Sequence, residues 1–236
     1  MKIVSWNCNG ALRQKFNALD VYDADIYVIQ ECENPIETKD DAYQEWAGEH
    51  LWTGNSKNKG IGIFAKNSHQ LEHLRWPTKF RGRDVKHFLP CRINDHLNLL
   101  GVWTHKNNSP TFGYIGQLWK YMELNKEAFQ DIVLAGDFNS NSKWDHWDRW
   151  WNHSDVVQNL KELDIISCYH SYFEEEHGAE SRPTFFLQRN LEKPFHLDYI
   201  FAPDSFPLNK VSIGAEDDWL PLSDHLPICG DFQTLL

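Results

Sequence analysis

The sequence predicts an α/β protein whose sheets pack on one another with helices outside, as one domain over residues 1–236. Three observations predict it. Short runs rich in Ile, Val, Phe and Tyr recur along the whole chain. Helical patterns separate only some of them. The order is strand–helix–strand, then several strands, then helix–strand–helix, then more strands, which is neither a clean alternation nor an all-β array.

The strand-like runs are 2–6, 25–30, 60–66, 86–93, 97–104, 131–136, 183–188, 196–202, 208–213 and 226–232. A helical pattern at 11–20 follows the first of them. A second, 114–129, places Ile115, Leu118, Met122 and Phe129 near one face. A third, 154–163, opens on Ser154-Asp155 as a cap and carries Val156, Val157, Leu160 and Leu163. There is no low-complexity linker and no repeat of solenoid period.

The 236 residues, 41% hydrophobic, can bury a large core without staples. No apolar run approaches the ~20 residues needed to cross a bilayer. The N-terminus reads directly as a strand and lacks the features of a signal peptide, so a cytoplasmic protein without membrane insertion is expected. No obligate protein partner is evident. Cys8, Cys32, Cys91, Cys168 and Cys229 show no metal-binding spacing and read as reduced, packed thiols. The net charge of −11 argues against a general nucleic-acid coat. Residues 75–92 reverse it locally, with Arg75, Lys79, Arg81, Arg83, Lys86 and Arg92 against the single acid Asp84. They form either a solvated strand pair or a phosphate-binding segment.

The polar residues fall in a pattern. "IVSWN" ends at Asn7, "IYVIQE" at Glu31, "LLGVWTH" at His105, and "IVLAGDFN" at Asp137 and Asn139. "FHLDYIF" carries Asp198, and "LPLSDHLPI" places Asp224 and His225 just before the final strand. A single acid at a strand end usually caps or is solvated. Six such ends, if they converge, make a hard-oxygen site suited to Mg²⁺ or Mn²⁺. Cysteine is absent from the set and histidine sparse in it, which argues against structural zinc. Such a set can perform metal-assisted phosphoryl transfer. A cation offsets charge on the phosphate, a carboxylate activates water, an amide and an imidazolium donate to phosphate oxygens, and a second Asp keeps the imidazole charged. No GxSxG elbow or P-loop is present.

"SWNCNG" (5–10), "IQE" (29–31), "GDFN" (136–139), "HLDYIF" (196–201) and "SDHLPI" (223–228) together resemble the endonuclease/exonuclease/phosphatase superfamily, which includes deoxyribonuclease I and exonuclease III-type enzymes. The motifs lie in the family's order and span nearly the whole chain. "SKNKG", "FLPC", "YIGQLWKY" and "NHS" are similar to segments of a short bacterial branch of it. The resemblance implies a deoxyribonuclease I-like four-layer α/β/β/α sandwich of two mixed, mainly antiparallel sheets. It also implies roles: Glu31 as principal metal ligand with Asn7 and Asp224 close by, Asp137 activating water, and Asn139 orienting the phosphate. His225 would contact the scissile phosphate and pair with Asp198. His105 is similar to a phosphate-contacting histidine of some branches. The expected function is a Mg²⁺- or Mn²⁺-dependent phosphodiesterase, a nuclease acting on DNA or RNA. The alternatives are a phosphatase or phosphodiesterase on phosphoinositides, phospholipids or small metabolites, and a non-catalytic binding module.

Departures from the family pattern matter too. Asn9 stands where abasic-site endonucleases carry an acid, which puts a second metal ligand in doubt, and "VWTHKNN" replaces their Tyr-containing segment. The carboxylate that supports the histidine of deoxyribonuclease I is not evident around "NSKNKGIGIF", where lysines occupy the ground. The chain is short for the fold, so trimmed substrate loops are expected. Trp144, Trp147, Trp150 and Trp151 follow the GDFN loop; on a helix the first three would drift along one broad face. They either cover a sheet edge or form a stacking platform beside the site. Arg81, Arg83, Trp144 and Trp147 are the candidate substrate-binding residues.

Overall fold

A computed structural model describes residues 1–107, 109 and 111–233. The elements in order are β1 (Lys2–Asn7), β2 (Ile26–Cys32), α1 (Asp41–Ala47), β3 (Glu49–Ser56), β4 (Lys59–Ala65), β5 (Leu71–His73), β6 (Lys79–Phe80) and β7 (Arg83–Asp84). Then come β8 (Phe88–Ile93), β9 (Leu97–Trp103), α2 (Ile115–Leu124), β10 (Ile132–Asp137), α3 (His153–Lys161), β11 (Ile165–Ser167), α4 (Cys168–Phe173), β12 (Phe185–Phe186) and β13 (Pro194–Phe195). The chain closes with β14 (Asp198–Pro203), β15 (Leu208–Ile213), α5 (Glu216–Trp219) and β16 (Ile228–Phe232).

Ten of the longer strands, with β5 and β11 at two edges, build two six-stranded sheets. One has the order β15-β16-β1-β2-β4-β3, the other β11-β14-β10-β9-β8-β5. The two share one pattern: a central parallel pair flanked by antiparallel strands. The parallel pairs are β1/β2, with Asn7 opposite Gln30, and β9/β10, with Trp103 opposite Asp137. Parallel strands leave the sheet on the same side, so their carboxyl ends gather loops and polar side chains at one edge.

Three apolar clusters make the layers. Strand alternation sends Ile3, Ile26, Val28, Val133 and Ala135 between the sheets. Val4, Trp6, Tyr27 and Ile29 face outward under α1 and the 3-10 turns near it. Leu100, Leu134, Tyr199 and Phe201 face outward under α2 and α3. Strands covered on both faces read as continuous apolar runs, which is why the sequence shows runs rather than alternation. The four-layer sandwich of two mixed, mainly antiparallel sheets is therefore the observed fold.

Several elements differ from expectation. Residues 11–20 form two 3-10 turns, Leu12–Gln14 and Phe16–Tyr22, instead of an α-helix. The break falls at Lys15, whose ammonium reaches back to the carbonyls of Cys8 and Leu222. The run 183–188 shrinks to β12, because Gln188 takes a left-handed conformation at φ 57 and turns the chain. The half-buried edge strand β3 is missed, since Gly54-Asn55-Ser56 reads as a turn. α1 is also missed; Asp40 caps it by accepting from Tyr43 N at 3.0 Å. The third helix begins at His153, with Asp155 accepting from Asn152 N at 2.8 Å, so the cap lies upstream of Ser154-Asp155.

Candidate active site

The site forms where the two parallel pairs end. Asn7 closes β1 in one sheet and Asp137 closes β10 in the other, and Asn7 Nδ2 donates to Asp137 Oδ2 at 2.9 Å. Asn139 wraps around the same carboxylate, donating from its backbone N to Oδ1 and from Nδ2 to Oδ2, each at 2.8 Å. That turn needs a left-handed backbone, and Asn139 adopts it at φ 44. Three of the four acceptor positions of the Asp137 carboxylate are thereby filled and one stays open. Gly136 is required just before it: a Cβ there would lie 1.8 Å from the Val102 carbonyl oxygen. Phe138, fully buried, points into the outer layer against Tyr199 and Phe201 and holds the loop.

Beside Asp137 lies a buried ion pair, with His225 Nδ1 2.8 Å from Asp198 Oδ2. Burial alone would pull the imidazole down, but the Asp198 and Asp137 carboxylates outweigh it and hold His225 up at about 9. Burial pushes Asp137 well above the usual carboxylate range, against the pull of His225. One ligand atom from each of Asp137, Asp198 and His225 lies within 4.8 Å of the others. This trio reads as an ion-pair network rather than a chelate, because His225 Nδ1 is spent on Asp198. The ring is placed by its backbone: Trp6 Nε1 donates to His225 O at 3.0 Å, and His225 N donates to Ser223 Oγ at 3.1 Å.

Glu31 sits at a bulge in β2, in the left-handed region at φ 63. Such strain in a non-glycine residue re-aims a side chain and is common at functional sites. Its Oε1 lies 3.5 Å from Asn7 Nδ2, and its Oε2 pairs with Lys59 at 2.7 Å. Lys59 belongs to the lysine-rich stretch that departs from the family pattern, and the structure puts its ammonium on the candidate ligand. Asp224 is half-buried next to His225, and among the described residues its carboxylate makes no hydrogen bond or ion pair. His105 lies outside this group. It is exposed two residues beyond β9, tied to the site through Thr104, whose N donates to the Asp137 carbonyl at 2.9 Å.

The structure thus joins Asn7, Glu31, Asp137, Asn139, Asp198 and His225, and leaves His105 at the rim. Arg81 and Arg83 are exposed on the β6–β7 hairpin. The tryptophans do not share a helix face. After the 3-10 turn Ser142–Trp144 the chain folds back, because the Asp145 carboxylate accepts from His153 N at 2.9 Å and Ser154 N at 3.1 Å. Trp151 is buried against Phe112, with centroids 4.1 Å apart. Trp147 is 98% exposed. Trp144 meets Phe195 at 5.1 Å, Phe195 meets Phe185 at 6.3 Å, and Phe185 meets His225 at 4.6 Å. An aromatic row therefore runs from the loop to the candidate catalytic imidazole. Phe185 and Phe195 carry no motif, and only the pairing of β12 with β13 brings them together.

A second polar cluster lies behind the loop. Asn141 Nδ2 donates to both oxygens of Glu180 at 3.1 Å and to the His196 carbonyl at 3.2 Å. Around Glu180 stand His170, 3.2 Å away, and His177, with His153 3.2 Å beyond His177. None of His153, His170, His177 and Glu180 was singled out from the sequence; they lie on α3, α4 and the loop after α4 and share no motif.

A two-sheet sandwich with a buried His–Asp pair, a buried carboxylate that keeps one acceptor position open and amides at the sheet ends fits a phosphoesterase. The chain belongs to the Endonuclease/Exonuclease/phosphatase family, whose model matches residues 4–225, and is accordingly a phosphoesterase hydrolase. Among solved structures it is similar to a 3'-5' exonuclease (NExo) from Neisseria meningitidis, with 21% identity and a TM-score of 0.74 over 99% of this chain and 100% of that one. It is similar to the 3' phosphatase NExo from Neisseria bound to product DNA hairpin, with 20% identity and a TM-score of 0.72 over 99% and 100%. An AP endonuclease from Archaeoglobus fulgidus matches with 16% identity and a TM-score of 0.73, again over 99% and 100%. No curated protein sequence matches the chain. Among the described residues no helix is long and apolar enough to cross a membrane.

Proposed function

We propose that the protein is a divalent-metal-dependent phosphodiesterase that hydrolyses nucleic-acid phosphodiester bonds by attack of water. The carrying observation is the meeting of Asn7, Asp137 and Asn139 across two sheets beside the buried His225–Asp198 pair. The donor set fits a hard cation. Glu31, Asn7 and Asp224 offer only oxygen ligands, and Glu31 already faces a positive group in Lys59. Those three residues would hold Mg²⁺ (or Mn²⁺), which when bound offsets the charge developing on the phosphate. Asp137 uses its open acceptor position to orient water and take its proton. His225, kept charged by Asp198, donates to a non-bridging phosphate oxygen, and Asn139 holds another. His105 meets the phosphate from the rim. Arg81 and Arg83 take flanking phosphates, and Trp144 and Trp147 present faces for bases.

This reading takes residues 1–236 as one catalytic domain, since each half of the site comes from a different sheet. The five free, buried cysteines support placing it in the cytoplasm. The neisserial phosphatase bound to product DNA hairpin supports nucleic acid over phosphoinositides, phospholipids and small metabolites as substrate. The test is incubation with labelled DNA, RNA and dinucleotides in Mg²⁺ or Mn²⁺, beside a phosphate-release screen on lipids and small phosphoesters. Cleavage of a nucleic acid that stops with EDTA is expected. Turnover of lipid or metabolite esters alone would move the assignment to the alternative class.

A further inference from the structure

Beside His105, which lines its inner part, opens a cleft that Asn7, Glu31, Asp137, Asn139, Asp198 and His225 do not line. Two cavities of about 490 and 500 Å³ adjoin there and share Phe80, Arg83, Ser109 and Lys120. Lys120 projects from α2 and is only 8% exposed. Its ammonium donates to Ser109 Oγ at 3.0 Å and lies 4.5 Å from the centre of the Phe112 ring. Arg83 stands close enough to repel it, and Arg81 lines the outer cavity. Among the described residues none of these three cations forms an ion pair, and neither does Asp84, the acid on the wall. In a chain with 34 acidic against 23 basic residues, neighbouring cations left unpaired around one cleft ask for an external anion. A desolvated ammonium without a counter-charge is unfavourable, and an incoming phosphate relieves it.

The opposite wall is aromatic. Trp150 is 61% exposed at the outer cavity. It is braced edge-on by buried Trp151 at 4.7 Å. Phe80 and Trp119 continue the wall, with centroids 6.2 Å apart. A braced, exposed indole facing unpaired cations across a cavity has the two features that recognise a nucleotide: a face for the base and positive charge for the phosphate.

We propose that this cleft binds an unpaired nucleotide of the substrate strand, its phosphate on Lys120 and Arg83 and its base against Trp150. The proposal rests on the phosphodiesterase reading and adds that the strand entering the site is single where it passes the cleft. A paired duplex offers phosphates but no free base face, so it uses only half of the cleft.

Binding can be read apart from catalysis. In EDTA, the anisotropy of a dye-labelled single-stranded oligonucleotide is compared with that of a blunt duplex of equal length. Single strand is expected to bind about ten-fold tighter, with Trp150→Ala and Arg83→Gln each weakening it about five-fold or more. Both substitutions are at exposed positions, so they keep the test independent of the buried Lys120. Lys120→Met should weaken single-strand binding comparably and flatten its salt dependence. Equal affinity for the two oligonucleotides, or parent-like binding by both Trp150→Ala and Arg83→Gln, overturns the proposal. Cleavage of bis(p-nitrophenyl) phosphate but of no nucleic acid would instead count against the proposed function, whatever the cleft binds.

Discussion

Two buried clusters sit on either side of the 137–141 loop, and they hold histidine in opposite states. His225 faces two carboxylates, Asp198 and Asp137, which lift it to about 9. Behind the loop His153 and His177 share one carboxylate, Glu180, with other imidazoles, and burial pulls each down to about 3. His196, its Nδ1 donating to the Arg182 carbonyl at 2.8 Å, is pulled by burial to about 4. Depth does not decide the charge, since His225, His153 and His196 are all buried. A carboxylate bonded directly to the ring does: Asp198 bonds His225, whereas His153 bonds only the His177 ring and His196 only the Arg182 carbonyl. One cluster keeps a charged ring beside Asp137; the other packs the uncharged His153, His177 and His196 rings behind the loop that carries Asp137.

The contrast can be broken first at its most reactive point. Asp137→Asn keeps the side-chain shape, gives up acceptance at one of the two oxygens and removes the base, so kcat/KM on a phosphodiester should fall by about 10²–10⁴-fold. Unchanged circular dichroism would show that the fold survives. Asp198→Asn should cost about 10–100-fold. It also removes the first carboxylate that raises His225. Activity that needs the imidazolium is lost as pH rises through the His225 pKa, so the alkaline limb, near 9 in the parent, should move toward neutral in a pH profile of kcat/KM.

Stability against pH sharpens the comparison further. His153 and His196 titrate lower in the folded chain than in the unfolded one, so the unfolded chain binds more protons once pH falls below about 6.5. The unfolding free energy from urea titrations should therefore drop on acidification, by ~1–2 kcal/mol per fully buried histidine between about pH 6.5 and 5. His225 has the opposite sign: its contribution is complete below about 6.5 and fades as pH rises toward 9. His225→Ala should flatten the alkaline side only. Glu180→Gln is the mildest of the four. It exchanges a carboxylate that accepts from Asn141, Gly178 N and His170 for an amide. A loss of about 1–3 kcal/mol in chemical denaturation is expected, with activity falling less than in Asp198→Asn.

The meeting of these residues at the sheet ends was legible because each closes an apolar run: Asn7, Glu31, Asp137 and Asn139 stand where strands stop, and Asp198 and His225 beside strand-like runs. The histidine cluster was not. His153, His170, His177 and Glu180 come from three segments, and only packing under Asn141 unites them. Phe138 reaches the core by the alternation of a single strand; the Trp144–Phe195–Phe185 row needs a hairpin and a loop to meet. The tryptophan segment misled for a related reason, since Asp145 caps α3 from eight residues upstream of His153 and turns the chain away from a helix.

Lys59 gives the site an unusual resting state. A carboxylate awaiting a metal normally repels its neighbours, but Glu31 is already neutralised by a tethered ammonium. On the proposed function, a cation reaching Glu31 would enter by exchange, as on an ion-exchange resin whose counter-ion is covalently attached. The displaced lysine would stay within reach of the negative charge that arrives with the phosphate. Metal loading and substrate binding would then be successive occupations of one pair of charges.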